Sequence, residues 1–292
     1  MTAPSRTDED EFEPVYHRYG PHRVGLPPVI PYFRELWHRR GFAIEMSKAT
    51  MRGDKTQTFF GQAWLVLNPL LLAGVYYLLV TIIRSNHDPQ FFAHLALGLF
   101  AFHMVSTSIT SGATSVTRSG KLLINTAFPR LLIPLSAART AFFRFLPTVP
   151  IYLVIHIIWL RDIWHPKMLL AIYFLLMMNI FGMGLAAFFS TLQIYFRDTS
   201  SFLPYFLRLW LYLSPVLWVP ASILRFDNRL LLTLIQSNPM FSMLGGYSEL
   251  IQTTGWPPPY MWLTSAAWAI AAALGGFLFF MSREREFAVR LV

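Results

Sequence analysis

The chain has 292 residues, of which 54% are hydrophobic, 16% aromatic and only 13% charged, where a soluble domain typically carries about 25% charged residues. This composition excludes an ordinary water-soluble fold and points to a membrane as the solvent. The net charge of +9 does not mark a nucleic-acid binder, because long stretches carry no charge, and the absence of cysteine excludes disulfides, thiolate metal sites and cysteine nucleophiles.

Residues 1–30 open on an acidic run from Asp8 to Glu13 and then turn rich in Pro and Gly, the composition of a disordered cytoplasmic tail. No short apolar core with a small-residue cleavage site is present, so no cleavable signal peptide is expected. In 31–55, Phe33, Leu36, Trp37 and Ile44 recur at helical spacing opposite Arg34, Glu35, Arg39 and Lys48, which predicts an amphipathic helix at the membrane interface.

A bilayer crossing needs about 20 apolar residues. Charge-poor stretches of that length predict transmembrane helices at about 62–84, 91–112, 132–160, 168–196, 200–219 and 260–281, together a membrane domain over 62–282. The third carries Arg139, Arg144, Pro147 and Pro150 and is the least regular. The fourth carries Gly182, Gly184, Ala186 and Ala187, which admit the backbone of a neighbouring helix. Within 228–253 two apolar pieces are interrupted by Asn238, Pro239, Gly245 and Gly246. Each is too short to cross, and they read as re-entrant helices, tolerated only where protein or water satisfies their ends. Residues 283–292 form a second cytoplasmic tail.

Charge placement orients the chain. With both termini inside, nine cations between Arg6 and Lys55 lie on the inner side, as do Arg118, Lys121, Arg130, Arg197, Arg283, Arg285 and Arg290. Only Arg84, Arg161, Lys167, Arg225 and Arg229 lie outside, in accord with the positive-inside rule. The expectation is a multi-pass plasma-membrane protein with cytoplasmic termini and an all-α fold of six spans.

The sequence lacks a G-x-x-x-x-G-K-[ST] phosphate loop, and its eight histidines are scattered with no metal spacing, so neither a catalytic nor a metal site is expected. No Asp or Glu falls inside the six stretches, which argues against proton or sodium coupling. Energy then comes from elsewhere. The segment 114–130 combines Arg118 and Lys121 with Leu122, Leu123, Ile124 and Phe128; by periodicity it is either a short docking helix for a separate ATPase or an ordinary basic loop.

Several segments in order resemble one family. "RGDKTQTFFGQAWLVLNPLLL" (Arg52 to Leu72), "KLLINTAFPRLLIPLS" (Lys121 to Ser136), "IYFRDTSSFLPYFLRLWLYLSPVLW" (Ile194 to Trp218), "SNPMFSML" (Ser237 to Leu244) and "REREFAVRLV" are similar to the permease subunits of ABC-2-type polysaccharide exporters. That family exports O-antigens, capsules and teichoic acids. The first of these looks closest to the actinobacterial permeases for cell-wall galactan. The resemblance covers nearly all of Arg34 to Val292. It implies a homodimer with two copies of a separate ATPase that carries ATP and Mg, and 114–130 as the coupling segment, with Arg118, Lys121, Leu122 and Phe128 against the ATPase. It also implies 228–253 as outer-gate helices and a lipid-linked polysaccharide as cargo.

For a sugar polymer, aromatic faces offer stacking with little hydrogen-bond specificity. Trp64, Tyr76, Phe202, Tyr205, Phe206, Trp210 and Tyr212 are the candidates to line a channel, against the alternative that most rings face lipid or sit in interfacial belts. Arg52, Lys55, Arg130 and Arg197 are candidates to attract a carrier-lipid diphosphate at the cytoplasmic mouth, although the positive-inside pattern alone also puts cations there. Arg197 and Asp198 are expected to close their turn through an ion pair or a cap. The rival readings are an exporter of drugs or other lipids with the same architecture, and a membrane-embedded glycan transferase. Against the transferase, Asp162, Asp227 and Glu249 are too sparse to build a site.

Overall fold

The computed structural model describes residues 26–53, 61–84, 88–120, 128–161, 163–220 and 229–290. Every regular element among them is helical. In chain order they are α1 (Val29–His38), α2 (Arg40–Gly53), α3 (Trp64–Arg84), α4 (Pro89–Arg118), α5 (Leu132–Phe145), α6 (Thr148–Trp159), α7 (Ala171–Tyr195), α8 (Thr199–Leu213), α9 (Arg229–Gln236), α10 (Pro239–Gln252), α11 (Pro259–Arg283) and α12 (Phe287–Arg290). Of the called tails and segments, 1–25, 54–60, 121–127 and 291–292 lie outside the described residues.

Five helical segments are long and apolar enough to cross a membrane: Trp64–Ile83, Pro89–Arg118, Leu132–Trp159, Pro166–Tyr195 and Pro259–Glu286. The third is bent where Leu146 and Pro147 separate α5 from α6, because Pro147 has no N–H to continue the helical ladder. The stretch expected as a crossing at 200–219 holds the 15-residue α8, which stops at Leu213, so its last residues are not helical. The cause is local: Ser214 precedes Pro215, is driven to extended backbone (φ −98°, ψ 153°), and cannot carry the helix on. The 31–55 stretch is likewise two helices, parted at Arg39.

The long α4 is the axis of the bundle: 78% of its most apolar window is buried, against 11% for α3, an outer helix. It starts cleanly, with Pro89 in the first turn and Asp88 accepting from the Gln90 N–H at 2.9 Å. The small residues of α7 do what their size allows. A Cβ built on Gly112 of α4 would meet Ala186 at 2.4 Å, and one on Gly184 would meet the Ala272 backbone of α11 at 2.3 Å. α7 is therefore wedged between α4 and α11 at backbone contact.

The two long helices α7 and α11 run parallel. Tyr173 donates to the Trp262 carbonyl at 2.7 Å near their starts, and Tyr195 donates to Glu286 just past their ends. Between them, α8 leaves the end of the bundle that holds Tyr195 and α1, the terminal end. The turn after α8 reaches the far end, where the Trp218 carbonyl meets His94 near the start of α4 at 3.3 Å. Two short helices follow, α9 of 8 residues and α10 of 14. At about 1.5 Å per residue neither reaches the roughly 30 Å of a hydrocarbon core. α10 begins at Asn238, whose side chain accepts from the Met240 N–H at 3.0 Å, and it is buried along nearly its whole length.

Candidate functional site

A cavity of about 570 Å³ opens between α3, α4 and α8. α3 contributes Asn68, Leu72 and Tyr76, spaced four apart on one face. α4 contributes His103, Ser106, Thr107 and Thr110 at i, i+3, i+4 and i+7, a polar stripe on one face of the helix. In the run 93–105 every residue but His103 is buried, and His103 is exposed into this space. α8 contributes Leu207, Arg208, Leu211 and Tyr212. Among the described residues no carboxylate lines the cavity, so its formal charge is the positive one of Arg208.

Two prolines belong to the same wall. Pro69 and Pro204 lie inside α3 and α8 and face the cavity. Each lacks the N–H that would bond the carbonyl four residues back, that of Leu65 or Ser200. The hydroxyls are held inward. Ser106 donates to the His103 carbonyl and Thr110 to the Ser106 carbonyl, both at 3.0 Å, so each offers only acceptor lone pairs to a guest. A smaller space of about 70 Å³ shares Pro69, His103 and Thr107 with the first and reaches Arg144 of α5.

The seven aromatic candidates divide. Tyr76 and Tyr212 meet on the cavity wall, with ring centroids 6.3 Å apart, edge to face, and hydroxyls 3.5 Å apart. Phe202, Phe206 and Trp210 form one ribbon along α8 at i, i+4, i+8, with centroids 5.8 and 5.6 Å apart. Its inner members turn toward the bundle: Trp210 lies edge-on to Phe102 and Phe181 and donates to Asn238 Oδ1 at 2.8 Å. Tyr205 is 69% exposed on the outer side of α8, and Trp64 sits at the first turn of α3, away from the cavity lining.

Three of the four cation candidates are among the described residues, each in its own setting. Arg130 donates to the Glu284 carbonyl, Arg52 is exposed at the end of α2, Arg197 is exposed beyond α7, and Lys55 lies outside the described residues. Arg197 and Asp198 form no ion pair among the described residues, and the Asp198 side chain makes no cap bond to α8. The turn is closed by Thr199 donating to the Phe196 carbonyl at 2.7 Å and by the Gln193 side chain donating to the Arg197 carbonyl at 3.0 Å. Arg139 bends to the terminal end, where it donates to the Ile44 carbonyl at 3.5 Å and lies 4.4 Å from the Phe143 ring centroid.

At the far end a second polar network ties four elements together. His94 of α4 meets Gln252 of α10 at 3.0 Å and the Trp218 carbonyl, while Gln252 donates to the Tyr152 hydroxyl of α6 at 2.9 Å. This network fixes the end of α10 to the bundle.

No protein-family profile matches the sequence. Among curated proteins, the O-antigen export system permease RfbA of Myxococcus xanthus is 27% identical over 261 residues, which cover 89% of this chain and 99% of that protein. Two permeases of the same name from Klebsiella pneumoniae are 28% and 29% identical over 65% and 66% of this chain, and 72% and 73% of their own lengths. The chain is similar to O-antigen export permeases. The resemblance to polysaccharide-exporter permeases read from the sequence agrees with this.

Of the residues expected to couple to the ATPase, Arg118 ends α4 and is exposed at the terminal end, and the Phe128 ring lies tilted against Phe42 of α2 with centroids 4.7 Å apart. Lys121 and Leu122 lie outside the described residues. Absent from the sequence-based candidates are Asn68, His103, Ser106, Thr107, Thr110 and Arg208, which share the cavity with Tyr76 and Tyr212. The signal for them was in the sequence: polar residues at helical spacing inside an apolar span.

Proposed function

We propose that this chain is the membrane-spanning subunit of an ATP-driven exporter that moves a lipid-linked polysaccharide, a cell-wall galactan precursor, from the cytoplasmic to the outer side of the plasma membrane. The observation that carries the reading is the cavity between α3, α4 and α8: hydroxyls, a histidine, an arginine and two phenols gathered on the facing sides of three helices. A polar, cationic hollow open on one side is costly against acyl chains. It fits a wet path for a hydrated polymer, and a second copy of the chain closing over the open side would make the path whole. Hence a homodimer, with two copies of an ATPase that supplies ATP and Mg.

Six crossings follow from the same reading, with α8 and the turn after it as the fifth and α9 and α10 as re-entrant gate helices at the outer end. The terminal end is then cytoplasmic, as the cation count indicates. Tyr76 and Tyr212 offer ring faces to sugars, Arg208 attracts anionic groups of the cargo, and Arg52 and Arg197 with Lys55 attract the diphosphate at the inner mouth. Phe128 and Arg118 flank the segment that takes the push of the ATPase. The names of the relatives favour O-antigen as a second reading of the cargo.

Depletion of the protein followed by analysis of lipid-linked glycans tests this. Accumulation of a finished polymer inside is the expected result, and the sugars of that polymer decide between galactan and O-antigen. A normally exported glycan with an altered structure would instead establish a transferase and refute export.

A further inference from the structure

Beyond α11 the chain turns back onto the bundle. Glu284–Glu286 form a 3-10 turn and Phe287–Arg290 a helical one, and Phe287 is fully buried with its ring 5.0 Å from that of Phe280. Residues far away in sequence converge on it. Tyr32 of α1 donates to Glu284 Oε2 at 2.6 Å and accepts from the Leu131 N–H at 3.4 Å. Arg130 donates to the Glu284 carbonyl. Tyr195 at the end of α7 donates to Glu286, which also pairs with Arg283 at 3.2 Å and Arg290 at 3.6 Å.

The contacts on Glu284 have a particular location. Arg130 is the last residue of the coupling segment and Leu131 the first after it, and both are held by the pair Tyr32 and Glu284. Any displacement of 121–127 that travels along the chain toward α5 passes through them. The pair is built to hold: Tyr32 is buried, and burial together with the adjacent Glu284 carboxylate keeps its phenol far above the ordinary range, hence always a donor. An apolar floor of Val116, Ile133, Ala187 and Phe280 lies beneath and joins α4, α5, α7 and α11.

We propose that Tyr32 and Glu284 are positioning residues for energy coupling. They clasp the exit of the coupling segment to α1 and to the foot of the last span, so that a push from the ATPase moves these parts as one body. The inference rests on the export reading above.

The test uses the full-length protein assembled with its ATPase in liposomes, with ATP hydrolysis and lipid-linked polymer transfer measured in parallel. A wild type that hydrolyses ATP without moving polymer would overturn the export reading, and the clasp with it. Against a working wild type, the variants test the clasp alone. Tyr32→Phe keeps the ring and its packing, and Glu284→Ala removes the acceptor. For both, polymer moved per ATP is expected to fall about tenfold, a size usual for coupling between sites, while assembly and hydrolysis stay within about twofold of wild type. Glu284→Gln keeps a carbonyl acceptor for Tyr32 and is expected to retain most of the coupling. Unchanged polymer per ATP in Tyr32→Phe and Glu284→Ala would overturn the proposal. So would parallel loss of both activities, the mark of a merely structural contact, or a Glu284→Gln variant as impaired as Glu284→Ala.

Discussion

Gly276 and Gly275 are neighbours on α11 with opposite surroundings, and alanine at each isolates the energy of one helix crossing. A Cβ on Gly276 would stand 2.0 Å from the Gly184 carbonyl oxygen of α7, whereas one on Gly275 meets nothing within 4 Å. Ordinary contact begins at 3.4 Å, so the first substitution forces α7 and α11 apart by about 1.4 Å, the difference of the two distances. The obstacle is backbone, which no rotamer change relieves, so the overpacking cost belongs at the upper end of its usual range, about 3 kcal/mol. Replacing glycine by alanine in a helix also gains about 1 kcal/mol of propensity, but this is common to both variants and cancels between them. Gly276→Ala is therefore expected to be less stable than Gly275→Ala by about 3 kcal/mol, measured by reversible unfolding in mixed micelles with added SDS. Equal unfolding midpoints for the two would refute the claim that backbone contact sets this crossing.

Three further outcomes are expected. Asn238→Ala removes the cap of α10, the acceptor for Trp210 and the donor to the Leu213 carbonyl; it should cost about 2 kcal/mol in the same unfolding assay. Gln252→Leu strands His94 and the Tyr152 hydroxyl at the far end and should cost about 1–3 kcal/mol, whereas a neutral result would remove the network from the forces that seat α10. Arg208→Gln withdraws the cation from the cavity; transport assays should show export slowed about tenfold or more, the rate equivalent of one charge-assisted contact, with ATP hydrolysis preserved.

The membrane helices were legible because lipid imposes one rule that hydropathy reads directly. α3, α4, α7 and α11 each appear as a long charge-free run, and the small residues around Gly184 announced close packing that the structure places against α11. The end of α8 was not legible by the same measure. Residues 214–219 are apolar apart from Ser214, so hydropathy extends the helix, but the backbone before Pro215 cannot follow. The cavity was half legible. Aromatic residues drew attention to Tyr76 and Tyr212, while the spacing of His103, Ser106, Thr107 and Thr110 passed as ordinary helix polarity until α3 and α8 were seen to leave that face open. The turn after α11 reads as a charged tail. The apolar run that starts at Phe287 hints that it docks, and Tyr32 and Arg130, which bond Glu284, are too distant in sequence for any local pattern to name.

The early stop of α8 bears on how thick the barrier is for a charged or hydrated cargo. Fifteen residues of helix rise about 22 Å, some 8 Å less than the roughly 30 Å of hydrocarbon that an ion would otherwise face. Beyond Leu213 the chain is non-helical backbone from Ser214 to Trp218, and the Leu213 carbonyl accepts from the Asn238 side chain that also caps the start of α10, so peptide groups and an amide lie there among the apolar side chains. On the export reading proposed above, a sugar chain passing along α8 would leave the low-dielectric zone before it leaves the bilayer, and the work of its passage would be set by the protein's dry length and not by the membrane's.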